Sequence, residues 1–180
     1  MKIKDQLTAA LSELSLDNTP TPERQEKSDF SIKQGEYRVR TIAERLYGRG
    51  DITEDQFNSC RKWQDTYVLR TDGPGAIQDR PSTSIIKHDV ISFAMDQALR
   101  SDSIPAICET IGKAAHNLLI LSLYECFNSS RIGEMLLPHT PVGSRNKAVD
   151  RLCKQAYEQL NDFYFAQYLD KRKKSDRSVA

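Results

Sequence analysis

A chain of 180 residues has room for one ordinary domain, and 38% hydrophobic with 28% charged residues is the balance of a globular protein, not a fully disordered one. Net charge is only +1, so a basic surface has to come from uneven distribution. No stretch approaches the about 20 apolar residues that span a bilayer, and Met1-Lys2-Ile3-Lys4-Asp5-Gln6 lacks the apolar centre of a signal peptide, so a cytoplasmic protein without membrane contact is expected.

Residues 1–35 read as an N-terminal helix plus a flexible linker. Ile3, Leu7, Ala10, Leu11 and Leu14 recur at helical spacing between Lys2 and Leu16. Asn18-Thr19-Pro20-Thr21-Pro22 and the charged run to Gln34 follow as the linker. A partner-binding or self-association segment and a frayed end are equally compatible with that first helix.

Residues 36–87 read as a helical hairpin followed by an irregular loop. Val39, Ile42, Ala43, Leu46 and Tyr47 form an apolar stripe over Glu36–Tyr47, ended by Gly48 and Gly50. Arg38, Arg40, Arg45 and Arg49 fall off that stripe. They serve either as phosphate contacts or as partners of nearby acids, the second being favoured. Thr53-Glu54-Asp55-Gln56 spells a capping box, and the helix it starts turns Phe57, Cys60, Trp63 and Tyr67 inward and ends near Arg70. Asp72-Gly73-Pro74-Gly75 marks a turn, and no phosphate-binding glycine pattern is completed around it.

Residues 88–170 carry the densest pattern. His88–Arg100 is a helix candidate. From Ser103, apolar positions continue through Ile107, Ile111, Leu118 and Leu119 to about Phe127, with Gly112 as a divider. Leu118-Leu119-Ile120-Leu121 is apolar on every side and reads as the buried centre. A short helix around Ile132-Gly133-Glu134-Met135-Leu136, a proline-containing break and a long amphipathic segment over Arg145–Tyr168 then spell helix-turn-helix. Ser144 is the expected cap, and Val149, Leu152, Ala156, Leu160 and Phe163 the expected buried stripe. Ser144, Arg145, Asn146, Lys147, Arg151 and Lys154 lie off it. Arg and Lys suit guanine edges, Asn suits adenine, and a helix start attracts phosphate. The aromatic end, Tyr157 to Tyr168, would pack on the domain or on a second subunit. Residues 171–180 are a basic tail, either reaching adjacent phosphates or forming a disordered segment that keeps the chain soluble.

The stretches Leu118–Leu121, Ser129–Leu136, Ser144–Val149 and Ala156–Leu160 together resemble the helix-turn-helix of sigma-factor region 4. They also resemble related C-terminal domains in phage, prophage and alphaproteobacterial regulators. The resemblance covers about 50 residues. It implies that Ser144, Arg145, Asn146, Lys147 and Arg151 face DNA. The break from Leu137 to Gly143 is longer than the usual turn and holds two prolines.

Cys60, Cys108, Cys126 and Cys153 are scattered, which points to reduced thiols and not to zinc. His88, His116 and His139 are far apart, and no catalytic or metal spacing occurs. The expectation is therefore an all-α, non-enzymatic regulator of transcription that needs no cofactor or metal and binds double-stranded DNA. RNA polymerase and a second copy of the chain are further candidate partners. The competing expectation is an α-helical protein-interaction protein anchored by Phe163 to Tyr168; a phage DNA-packaging adaptor would instead share the DNA-facing residues of the first and differ only in partner.

Overall fold

The computed structural model describes residues 20–33, 36–72 and 103–178. The helices expected over Lys2–Leu16 and His88–Arg100, and the glycine-proline turn after Asp72, lie outside them. In chain order the described elements are α1 (Pro22–Lys27), β1 (Asp29–Lys33), β2 (Glu36–Arg40), α2 (Ile42–Gly48), α3 (Glu54–Asp72), α4 (Ser103–Ile111), α5 (Lys113–Leu119), a π-helical turn (Ile120–Tyr124), α6 (Ser129–Leu136) and α7 (Val142–Ser178). The class is all-α, with one small hairpin.

That hairpin corrects the sequence reading. Residues 29–33 were assigned to the linker and 36–40 to a helix, yet they pair antiparallel, Phe30 opposite Val39 and Ile32 opposite Tyr37. Period-2 alternation of β-favouring residues wins over the helical spacing here. The helix begins only at Ile42, because Thr41 closes a capping box. Its hydroxyl accepts from the Glu44 amide (3.1 Å) and Glu44 Oε2 accepts from the Thr41 amide (3.0 Å). The linker is also pinned. The Asn128 amide donates to Lys27 O (2.8 Å) and its side chain donates to Glu26 O (3.0 Å), docking the end of α1 on the start of α6.

The Thr53–Gln56 capping box forms as expected, the Thr53 amide donating to Gln56 Oε1 (2.9 Å) and the Gln56 amide to Thr53 Oγ1 (3.3 Å). The helix it starts, α3, runs two residues beyond Arg70. It lies alongside α7 in the same direction: Asp51 reaches Lys154, Ser59 Oγ donates to Asn161 Oδ1 (2.9 Å) and Lys62 sits over the Tyr164 ring (4.1 Å). Gly112, at φ 84°, separates α4 from α5. At the end of α5 the ladder widens to a π turn, the Glu125 amide donating to Ile120 O (2.9 Å).

A single core joins the two halves. Ile42, Leu46, Cys60 and Trp63 pack in one cluster with Ile107, Leu119, Leu123, Ile132, Val149, Tyr157 and Leu160. The described parts of the segments 36–87 and 88–170, namely 36–72 and 103–170, expected as separate units, therefore share their interior. Two buried hydroxyls are linked in series: Tyr157 donates to Ser122 Oγ (2.9 Å) and Ser122 to Leu118 O (2.6 Å). All four thiols are free, Cys60 and Cys153 fully buried, and burial pushes Cys153 up to about 12.

Candidate nucleic-acid interface

Two helices and a five-residue turn, 137–141, form the site. Asn128 caps α6 by accepting from the Arg131 amide (2.9 Å). Ile132 and Gly133 turn inward against α7. A Cβ on Gly133 would lie 2.4 Å from Arg145 Cγ and 2.5 Å from Cδ, so only glycine permits this approach. The turn then folds back on itself, the Thr140 amide donating to Leu137 O (3.0 Å).

Helix α7 starts at Val142, two residues before the expected cap. Pro141 O accepts from the amides of Ser144 and Arg145 (3.0 Å each), and the Ser144 hydroxyl donates to the same carbonyl (3.0 Å). Ser144 is therefore in the first turn and not its cap. Arg145 departs furthest from expectation. Its guanidinium donates to Thr140 O (3.0 Å from Nη2, 3.2 Å from Nε) and to Pro138 O (3.3 Å). These carbonyls sit in a proline-bounded turn, where backbone donors are scarce, and the arginine supplies them.

Lys154, whose side chain is 43% exposed, has its ammonium 3.7 Å from Asp51. Asn146 lines a recess of about 130 Å³ shared with Asp29, Arg45, Asn128, Ser129 and Ser130, a lining of both charge signs. Ser144, Lys147 and Arg151 are exposed. At about 100° per residue these three fall on one side of α7, opposite Val149, Cys153, Ala156 and Leu160. No acid occupies the first turn. Glu158 and Asp162 continue the same side further along, so the basic patch is confined to the first turns.

The buried stripe also differs in detail. Cys153 and Tyr157 are inside, whereas Leu152 is 36% exposed. The stripe therefore runs 149, 153, 156, 157, 160, about one position round from where Leu152 would put it.

Two of the arginines before α3 are held by Asp150, on α7: Arg45 Nη2 to Oδ1 at 2.8 Å and Arg49 Nη2 to Oδ2 at 3.1 Å. Arg38 pairs with Glu44 (2.9 Å), and Arg40 donates to the Glu44 carbonyl (3.4 Å). Ser129 donates to Asp150 Oδ1 (2.6 Å) while accepting from Arg45. Burial works to raise the Asp150 carboxyl, but the hydrogen bonds from Arg45 and Ser129 outweigh it and hold it below the usual range. Sequence reasoning did not single out Asp150. Its only signal is its position, an acid beside the buried stripe among basic neighbours.

Among the described residues no helix is long and apolar enough to cross a membrane, and no group of His, Cys, Asp or Glu could hold a metal ion. No family model, curated protein or solved structure matches the chain.

Proposed function

We propose that the protein is a transcription regulator that binds double-stranded DNA, in the cytoplasm, through the exposed start of α7. The observation that carries this reading is the placement of Ser144, Lys147 and Arg151 on one acid-free side of the first turns, behind a short helix and a braced turn. Cations at a helix start oppose the dipole by about 0.3–1 kcal/mol each, and an anionic partner would offset that loss. Arg145 acts as the brace of the turn and not as a base reader. The resemblance to sigma-factor region 4 supports the same reading, with RNA polymerase as a further partner.

The test is fluorescence anisotropy on random-sequence duplex DNA across a salt series. Lys147→Ala/Arg151→Ala is expected to weaken binding and to reduce the slope of log K against log salt by about 2, with unfolding unchanged. Equal binding by wild type and this variant, or no binding at low salt, would remove the assignment.

A second reading is favoured by one observation. Phe165 and Tyr168 are 59% and 58% exposed, as befits a protein-interaction helix. On that reading Tyr168→Ala disrupts a complex and the Lys147/Arg151 pair is silent.

A further inference from the structure

Helix α7 is 37 residues long, about 55 Å, and its buried stripe reaches only as far as Leu160, with Phe163 and Tyr164 half-buried beyond it. Past that point its outer side carries a short apolar patch, Phe165, Tyr168 and Leu169, all exposed. Asp162 stands before the patch and Arg172 after it, both exposed. Asp162, Phe165, Leu169 and Arg172 follow one another at three, four and three residues. That is the spacing of a single seam along a helix, in the manner of a two-stranded coiled coil.

The order along this seam has a symmetry of its own. Phe165 and Leu169 lie equally far either side of position 167, and so do Asp162 and Arg172. Two copies of the helix, laid antiparallel about a two-fold axis at that level, set Phe165 of each against Leu169 of the other. The same register brings each Asp162 opposite an Arg172, so two ion pairs close the ends of the apolar contact. A parallel arrangement would instead set Asp162 against Asp162 and Arg172 against Arg172. Charge complementarity therefore selects one occupant and one direction.

We propose that the distal part of α7 is a self-association surface on which a second copy of the chain docks antiparallel, in the register that pairs Asp162 with Arg172. The dimer stands independently of DNA binding, since its surface shares no residue with Ser144, Lys147 or Arg151. The contact is short, so association is weak and concentration-dependent, in the class of small transient interfaces.

Sedimentation equilibrium of the full chain over a concentration series reaching the millimolar range tests it. Wild type is expected to show a monomer–dimer equilibrium, and Phe165→Asp to weaken it at least about thirtyfold, the cost of losing a central anchor. Asp162→Arg alone and Arg172→Asp alone each introduce two like-charge contacts and weaken the dimer several-fold. The double exchange, Asp162→Arg with Arg172→Asp, restores it. A monomer at every concentration overturns the proposal. So does a double exchange no tighter than the single variants, because only the antiparallel register predicts recovery. Circular dichroism of each variant separates loss of association from loss of helix.

Discussion

Asp150 is the residue on which most of the internal electrostatics converge. Its carboxylate takes Arg45 from α2, Arg49 just after it and the Ser129 hydroxyl at the start of α6, so three segments meet on one side chain. Its side chain is 14% exposed, too deep for solvent screening to cancel these contacts. Asp150→Ala leaves Arg45 half-buried without its main partner and should cost about 2–3 kcal/mol at neutral pH, read from urea unfolding. The pH dependence has a definite sign. The folded carboxyl is held below the ordinary value of about 3.9, so the stabilisation is complete above that value and is lost as pH falls through the folded one. Wild type and Asp150→Ala should therefore converge in stability in the acid range. A gap that persists undiminished in acid would mean that packing, and not charge, gives Asp150 its weight.

At the scale of elements, the packing of α6 on α7 depends on one missing side chain. Gly133→Ala should destabilise by about 1–3 kcal/mol because its methyl would overlap the Arg145 stem, an overlap that exceeds the roughly 1 kcal/mol gained in helix propensity. In an Arg145→Ala background the overlap is gone, and Gly133→Ala should become neutral or stabilising. A double-mutant cycle by chemical denaturation reads this coupling directly, and additivity of the two changes would mean that the helices adjust at no cost. A cap read together with its partner located a helix start, whereas Gly48 and Gly50, read as the stop of Glu36–Tyr47, said nothing of the strand in its first half. Thr53 with Gln56 placed the start of α3. The same signature, Thr41-Ile42-Ala43-Glu44, stood in the sequence unread and would have started α2 at Ile42. Helix spacing over Glu36–Tyr47 was assembled from two elements whose apolar residues fall by chance at i, i+3 and i+4. The pairing partner that makes 36–40 a strand is 29–33, and the alternation of Tyr37 and Val39 alone is too short to announce it.

For the molecule as a whole, the shared core has a consequence for folding. Trp63 is the only tryptophan and lies fully buried among residues from both halves. Its fluorescence and the helical circular dichroism should report one coincident unfolding transition in urea. Two separated transitions would mean that the segments before and after the central stretch fold independently, as the sequence reading had them. Of the expected centre Leu118–Leu121, only Leu118 and Leu119 are buried, Ile120 and Leu121 being half-buried. By itself, the sequence determined the all-α class, the start of α3 and the short helix, turn and long helix that carry Ser144, Lys147 and Arg151. These follow from periodicity, caps and prolines, which act over one or two helical turns. Only the tertiary structure decided that Arg145 is spent on the turn carbonyls, that Lys154 reaches Asp51, and that Asp150 gathers Arg45 and Arg49. A charged side chain long enough to reach several neighbours shows its type in the sequence, but its partner is set by which helices pack beside it.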